Sequence, residues 1–347
     1  MAIANERMAD ESACRRVLAA YGADCQPVHI EPLSSAGGFS GASFWRIHAL
    51  RGILCLRRWP REHPDRQHLE FIQAVLWHVH QEGFRLVPLP LETRSHTGYV
   101  CEAGQLWELA PWMPGAADYH QNPSPNRLRA AAQTLARFHQ AAATFPLPHG
   151  GSRTAPGLQS RLERLAAWTE LKLARLSASI ADADWPELAD RARRLLPLFR
   201  RAADVVAETL RQAAPIRVPI EPCIRDIWHD HVLYVGEKVS ALIDFGAMRA
   251  DSVATDIARL LGSLCGDDGP AWLDALNAYD SVRPLSSGEA LLVTAYDRSN
   301  TLLSGMNWLE WIYLDARQFE NRAAVCERLD ANLARLEHLV AQTAFGF

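Results

Sequence analysis

Residues 224–246 of the 347-residue chain read IRDIWHDHVLYVGEKVSALIDFG. An Arg-Asp pair ends at Asp226, and an Asp-Phe-Gly triplet begins at Asp244. Between them, two apolar, β-branched runs flank a turn at 236–238, which predicts one β-hairpin. Because a hairpin reverses the chain, we expect it to return the carboxylate of Asp244 beside that of Asp226.

This pair of motifs joined by a hairpin is typical of kinases. The protein-kinase signature contains His-Arg-Asp, an Asn five residues after that Asp, and then Asp-Phe-Gly. The first Asp orients the substrate hydroxyl, and the second holds Mg²⁺ on the ATP phosphates. On these motifs the chain resembles the aminoglycoside phosphotransferase and choline kinase-like family, from about residue 30 to about residue 265.

The resemblance implies an α+β, bilobal protein-kinase-like fold. We expect a small β-rich N-lobe over residues 1–110 and a larger, mainly helical C-lobe over residues 111–347. The resemblance also implies ATP and Mg²⁺ as cofactors, and the choice between ATP and GTP stays open.

The resemblance assigns roles to residues of the 224–246 stretch. Asp226, preceded by Arg225, matches the catalytic base, and Asp244 matches the metal-binding aspartate. Leu233 and Ile243 match the floor and the back of the adenine pocket. We therefore expect these positions to form the catalytic, metal and base-binding parts of one site.

The same stretch departs from the family pattern at two positions. His231 stands where the family has Asn as a second metal ligand, and Ile224 stands where it has His. A neutral imidazole can bind a metal, but Mg²⁺ prefers oxygen, so Asp230 is an alternative ligand. The His-Asp-His run 229–231 also leaves open a transition-metal hydrolase, which would need further ligands from elsewhere.

A small-residue loop precedes the second expected strand. Residues 36–41 read AGGFSG, and the next residues, 43–47, have the character of a strand. A dinucleotide-binding loop would lead into a helix, so the phosphate-binding loop of a kinase hairpin fits better. Glycines let backbone N–H groups approach phosphate, and a serine adds a hydroxyl donor. The candidate phosphate-binding residues are Gly37, Gly38, Ser40 and Gly41.

A kinase needs a cation on its third strand, and no lysine precedes Lys172 in this chain. Arg57 occupies the matching position, and the family often has Leu-Arg there. Glu70, on the amphipathic helix predicted over 65–81, is the expected partner of Arg57. Arg58 points to the opposite face of the strand, because side chains alternate.

The segment 107–110 resembles the hinge whose backbone hydrogen-bonds adenine. This interpretation makes the backbone groups of Glu108 and Ala110 cofactor-binding and places Cys55 over the base.

Two features of the helical half have alternative interpretations. Asp256 matches the family aspartate that braces the catalytic loop, but it could equally cap a helix. Trp308 and Trp311 lie three residues apart on one helix face. They could hold an ammonium group by cation–π attraction or pack in the core.

Composition excludes several classes of protein. With 48% hydrophobic and 22% charged residues, the chain is neither disordered nor fibrous. A net charge of −4 predicts no nucleic-acid partner, and no apolar run is long enough for a membrane span. Seven scattered cysteines favour a reducing, cytoplasmic location. We expect a monomer or homodimer.

These observations predict an ATP-dependent small-molecule phosphotransferase that acts on a hydroxyl of a small metabolite or antibiotic, possibly a cationic one. The alternative is a kinase-fold nucleotide- or metabolite-binding module with weak or no turnover.

Overall fold

The computed structural model describes residues 2–33, 41–148, 151–181, 184–319 and 321–344. The chain divides into two compact units, here called the sheet unit and the helical unit. The sheet unit comprises residues 1–131, 140–145 and 230–248, and the helical unit comprises 132–139, 146–229 and 249–347.

The strands are β1 Pro27–Leu33, β2 Ser43–Ala49, β3 Gly52–Arg58, β4 Val100–Glu102, β5 Gln105–Pro111, β6 Ser152–Thr154, β7 Arg217–Pro219, β8 Glu221–Cys223, β9 Val232–Val235, β10 Lys238–Leu242 and β11 Arg249–Asp251. The α-helices are α1 Ala2–Leu18, α2 Arg66–Gln81, α3 Pro125–Ala142, α4 Pro156–Ala166, α5 Glu170–Ala181, α6 Pro186–Ala213, α7 Ala254–Cys265, α8 Gly269–Asp280, α9 Ser287–Leu309 and α10 Arg322–Ala344. Short 3₁₀ turns cover Ala23–Cys25 and His229–His231, and a π-turn covers Glu310–Leu314.

The sheet unit is built on a five-stranded antiparallel sheet in the order β1-β2-β3-β5-β4. One face of this sheet packs against α1, where Leu54, Leu56 and Leu109 lie in a buried core with Val17 and Leu18. Because side chains alternate along a strand, the residues between them point to the opposite face. That opposite face carries positions 53, 55 and 57 of β3, and the candidate active site lies on it.

The predicted hairpin is present as β9 and β10, and it belongs to the sheet unit. Tyr234 and Ala116 exchange two backbone hydrogen bonds, and the N–H of Leu242 donates to the carbonyl of Leu86. These bonds explain why the sheet unit extends beyond residue 110. The lobe boundary expected there stays a prediction.

The helical unit contains the long amphipathic helices that the sequence predicts. α6, α9 and α10 pack on one another, and α7 packs on α9. A break at 167–169 separates α4 from α5. In the part of the chain that the structure describes, none of the helices is both long and apolar enough to cross a membrane. The combination of a sheet region with a mainly helical remainder confirms the α+β class.

Candidate active site

Asp244 lies two residues beyond the end of β10 in a left-handed backbone conformation, with φ of 60°. This region is sparsely populated by non-glycine residues, and such strained conformations cluster at functional sites. Arg57 donates from Nη1 to Oδ1 of Asp244 over 3.1 Å. The N–H of Gly246 donates to the same oxygen over 3.4 Å. The structure thus pairs the predicted phosphate-binding arginine directly with the predicted metal ligand.

The carboxyl of Asp244 is set up to remain ionised. Burial opposes its ionisation, but the positive charges of Arg57 and of His231 when protonated outweigh burial, so its pKa is lowered. His231 Nε2 lies 3.6 Å from Oδ2 of Asp244. An ionised carboxylate fits a divalent metal, because Mg²⁺ favours hard oxygen ligands. His231 is therefore a direct neighbour of the candidate metal ligand Asp244.

Arg57 is held by aromatic rings as well as by charge. Its guanidinium lies 3.3 Å from the ring centroid of Trp59 and 5.1 Å from that of Phe44. The side chain is only 11% exposed, and its Nε is buried without a hydrogen-bond partner. Arg58, in contrast, points to the other face, where it pairs with Asp10. The expectation that only one of the two arginines faces the site is confirmed.

The expected pairing of Arg57 with Glu70 is wrong. Oε1 of Glu70 accepts from Nε of Arg66 over 2.9 Å and from the hydroxyl of Tyr99 over 2.7 Å. Glu70 lies half-exposed on α2, four residues from Arg66, so its neighbour on its own helix is its natural partner. Arg57 forms its ion pair with Asp244 instead.

Glu108 is the glutamate that faces Arg57, and sequence reasoning did not find this role. The two residues are direct cross-strand partners in the β3–β5 ladder, so their side chains share one face. Gln73, buried on α2, donates from Nε2 both to Oε2 of Glu108 and to the carbonyl of Gly98. Burial raises the pKa of Glu108, as does the charge of Asp244, while Gln73 and Arg57 lower it.

Residues 107–110, where the sequence predicts the adenine-binding hinge, lie within a strand. These residues lie inside β5, where Glu108 is registered with Arg57 and Ala110 with Cys55. The N–H of Trp112 still donates to the carbonyl of Ile53 on β3. Alternate residues of an antiparallel strand face the same neighbour, so the backbone groups of Glu108 and Ala110 face β3 as well. They are engaged in the ladder, and the connector at 113–115 is the better candidate for a hinge.

The remaining predicted nucleotide-binding residues fall into two groups. Gly37, Gly38 and Ser40 lie outside the described residues. Gly41 immediately follows them, with φ of 75°, a conformation that suits glycine. Cys55 shares the face of Arg57 on β3. Leu233 and Ile243 are both partly exposed, and the N–H of Ile243 donates to the carbonyl of His231 across the hairpin.

In the helical unit, Asp256 braces the loop that carries Asp226. The Asp256 side chain is fully buried, and it accepts from the N–H of Ile224 over 2.7 Å and from that of Arg225 over 2.6 Å. His139 Nε2 lies 3.0 Å from the same carboxylate. The N-cap residue of α7 is Val253, and the N–H of Ala254 donates to the hydroxyl of Ser252, so Asp256 is not the cap of this helix. The bracing interpretation is confirmed, because both oxygens of Asp256 are committed to the loop.

Asp226 and Arg225 have different surroundings. The carboxylate of Asp226 is 51% exposed, and Arg259 on α7 donates to its Oδ1 over 3.0 Å. Arg225 has φ of 67°, and its Nε lies 3.7 Å from Oδ2 of the buried Asp251. Arg225 is thus paired with a buried carboxylate of its own unit, and its catalytic role stays a prediction. Because Asp226 and Asp244 belong to different units, their expected proximity stays a prediction.

The hydrolase alternative loses its basis in the described ranges. There, the cluster with metal-ligand spacing consists of His139, Cys223 and Asp256. It includes no residue of the 229–231 run, and His139 and Asp256 are hydrogen-bonded to each other within it. His229 instead places Nδ1 2.6 Å from the hydroxyl of Ser263.

The surroundings of Trp308, near the end of α9, favour core packing. Trp308 is buried, with its ring centroid 5.3 Å from that of Trp311 and 5.2 Å from that of Phe319. The rings are tilted edge-on to one another, an arrangement typical of packed aromatics.

Comparison with known proteins supplies the family. Residues 29–291 match the phosphotransferase enzyme family. A homoserine kinase from Methylobacterium nodulans is 27% identical over 259 residues, which cover 73% of this chain and 72% of that protein.

Two solved structures share the fold. A spectinomycin phosphotransferase in complex with ADP and spectinomycin superposes with a TM-score of 0.66 at 10% identity, covering 91% of this chain and 94% of that one. A microcompartment-associated aminopropanol kinase superposes with a TM-score of 0.64 at 15% identity, covering 95% and 98%. These matches confirm the kinase-like fold. Since the family match spans well over half of the sequence, the chain belongs to the phosphotransferase enzyme family and is a small-molecule kinase.

Proposed function

We propose that the protein transfers the γ-phosphoryl group of ATP to the hydroxyl of a small molecule that also carries an amine. The observation that carries this proposal is the pairing of Arg57 with Asp244 at the end of β10. It joins the expected phosphate-binding cation to an ionised carboxylate of the kind that holds a metal on ATP.

Asp244 is the proposed metal ligand, with His231 beside it. At this carboxylate, Mg²⁺ would supply the charge neutralisation that phosphoryl transfer needs. Arg57, packed on Trp59 and registered with Glu108 across the β3–β5 ladder, would contact the phosphates. Gly37, Gly38, Ser40 and Gly41 stay the candidates, from the sequence, for backbone N–H contacts with the phosphates.

Asp226 is the proposed base. Its exposed carboxylate receives the proton of the acceptor hydroxyl as the hydroxyl oxygen bonds to the γ-phosphorus. The bond from that phosphorus to the β,γ-bridging oxygen breaks, and the products are ADP and a phosphate monoester. Asp256 acts on this step indirectly, since it fixes the backbone of the two residues before Asp226.

The acceptor class comes from the relatives. The curated relatives include homoserine kinases from Methylobacterium nodulans and Brucella anthropi. Homoserine carries both a hydroxyl and an amine, and so does an aminopropanol. A small amino alcohol or hydroxy amino acid is therefore the first acceptor to test.

The test is a panel assay with purified protein, Mg²⁺ and ATP. Acceptor-dependent ADP release and a new phosphomonoester signal in the ³¹P NMR spectrum are the expected results. The Asp226→Asn variant is the matched control, because it keeps the shape of the side chain and loses the base. Equal ADP release from both proteins with every acceptor would reject the proposed chemistry.

A binding module without turnover is the second candidate, favoured by His231 in place of the family Asn. Thermal unfolding distinguishes the two, since a ligand at about 100 times its Kd adds about 2.7 kcal/mol of stability. Stabilisation by ATP that does not need Mg²⁺, together with no phosphate transfer, would support the binding module.

A further inference from the structure

The β9–β10 hairpin carries a possible metal ligand at each of its two ends. His231 directly precedes β9, and Asp244 lies two residues beyond the end of β10. Leu242 is registered with Val232, and the N–H of Ile243 donates to the carbonyl of His231 over 3.0 Å. Because these contacts hold both backbones, one local element of the sheet unit sets the spacing of the two side chains.

The two side chains approach each other through atoms that bind metals. Oδ1 of Asp244 accepts from Arg57 and from the N–H of Gly246, whereas Oδ2 lies 3.6 Å from Nε2 of His231. This distance of 3.6 Å is too long for a hydrogen bond. Two neighbouring ligand atoms on one ion, with bonds of about 2.0–2.2 Å, lie about 3.0–3.4 Å apart. A small shift of either side chain would therefore allow both atoms to bind the same ion.

The pair is accessible, and its surroundings tolerate a cation. The side chain of Asp244 is 34% exposed, and that of His231 is 12% exposed. Arg57 is the guanidinium beside the pair, and the carboxylates of Asp244 and Glu108 both act on its charge. Arg57 therefore does not leave an excess of positive charge at the place where an ion would bind.

The donor set of this pair differs from the one that Mg²⁺ prefers. Mg²⁺ takes hard oxygen ligands, from carboxylates, phosphates and water. An imidazole nitrogen suits ions such as Zn²⁺ and Fe²⁺, and affinity for a nitrogen-containing site rises along the first transition series. Two protein ligands are enough in a nucleotide site, because phosphate oxygens and water complete the coordination shell.

We infer that His231 and Asp244 bind a first-row transition-metal ion, such as Co²⁺ or Zn²⁺, in preference to Mg²⁺ on the phosphates of the nucleotide. This inference rests on the proposed function and specifies its metal. His231 sets the metal selectivity of the site, whereas Asp244 contributes to the binding of every divalent ion.

Calorimetry tests this selectivity without turnover. The untagged protein is titrated with the β,γ-imido analogue of ATP in the presence of excess Co²⁺ or excess Mg²⁺. We expect the Kd of the wild-type protein to be lower with Co²⁺ by about tenfold or more, since even the hydrogen-bond partners of metal ligands contribute about 10- to 100-fold. His231→Asn replaces the nitrogen donor with an amide oxygen. It should abolish the preference for Co²⁺ while Mg²⁺ supports binding as well as before or better.

Proton NMR of the Co²⁺ complex detects the imidazole ligand directly. The ring N–H of a histidine bound to Co²⁺ resonates far outside the diamagnetic range and disappears in D₂O. We expect one such resonance in the wild-type protein and none in His231→Asn. His231→Gln is a second variant for both measurements, and thermal unfolding checks that each variant is folded.

Two control variants exclude other sources of Co²⁺ binding. Asp230→Asn removes an exposed carboxylate on the same turn, which is the alternative ligand from the sequence. His48→Gln disrupts a pair of surface histidines, His29 and His48, whose ring centroids lie 5.6 Å apart. We expect both controls to keep the preference for Co²⁺ and the shifted resonance.

The outcomes separate the inference from the proposed function. Equal Kd values with Co²⁺ and Mg²⁺, or no shifted resonance in the wild-type protein, reject the inference, and the proposed function stands if Mg²⁺ supports phosphate transfer. A resonance that survives in His231→Asn, or a preference lost in Asp230→Asn, rejects it equally. If the analogue binds with neither metal and no acceptor is phosphorylated, both proposals fail.

Discussion

The two aspartates of the motif pair are each bound to an arginine, yet they are held in place by different means. Asp244 is held through its own side chain, by Arg57 and His231. Asp226 is half-exposed, and the buried Asp256 holds the backbone before it. One position is therefore defined by charge and the other by a buried hydrogen-bond network. Substitutions at the two should separate affinity, turnover and stability.

The largest expected effect is at Asp226. If the loop is held by its backbone, Asp226→Asn removes the base and leaves the fold intact. We expect kcat to fall by about 10²- to 10⁴-fold, the usual contribution of a general base. The unfolding midpoint and the affinity for nucleotide should stay close to those of the wild type. A large loss of stability would show that the loop depends on this side chain after all.

Asp256→Ala should act on stability first. It leaves the buried N–H groups of Ile224 and Arg225 without an acceptor and removes the partner of His139. At about 1–3 kcal/mol for each of the two unsatisfied N–H groups, the free energy of unfolding should fall by about 2–6 kcal/mol. Denaturant titration measures this change. An unfolding midpoint equal to that of the wild type would contradict the bracing role.

Asp244→Asn should separate metal-dependent from metal-independent binding. We expect the Kd for ATP with Mg²⁺ to rise by about tenfold or more, while ATP with a chelator binds as well or better, because Arg57 is released. Calorimetry with and without Mg²⁺ measures both values. Equal losses in the two titrations would remove Asp244 from its proposed role.

The pH dependence of stability checks the same ion pair. Because the pKa of Asp244 is lowered in the folded protein, its stabilising contribution is present above the usual pKa of an aspartate and is lost as pH falls through the lowered value. The stability difference between wild type and Asp244→Asn should therefore be constant near neutral pH and shrink in acid. A difference that persists unchanged at low pH would point to another origin.

The smallest expected effect is at Glu108, and Glu70 serves as its control. Glu108→Gln should raise KM for ATP by about threefold to tenfold, while Glu70→Gln should leave it unchanged. Because burial raises the pKa of Glu108, its charge costs stability above that pKa, so Glu108→Gln should also melt higher at pH 8 than the wild type. An effect on KM from Glu70 and not from Glu108 would restore the pairing expected from sequence.

Sequence reasoning was most accurate where the signal is local. The hairpin, the helix α2 and the alternation of Arg57 and Arg58 follow from periods of two and 3.6 residues within short windows. The partner of Arg57 cannot be predicted from such short windows, because it depends on the β3–β5 register and on a residue 187 positions away.

The arginine on β3 has a practical consequence for detecting this protein. Nucleotide probes that acylate the phosphate-binding lysine of kinases need an amine that can lose its proton, whereas a guanidinium stays protonated. The chain has two lysines, Lys172, which pairs with Glu310, and Lys238 at the exposed start of β10. An amine-directed survey of ATP-binding proteins would therefore pass over this one, and dicarbonyl reagents that condense with guanidinium groups are the chemistry that reaches Arg57.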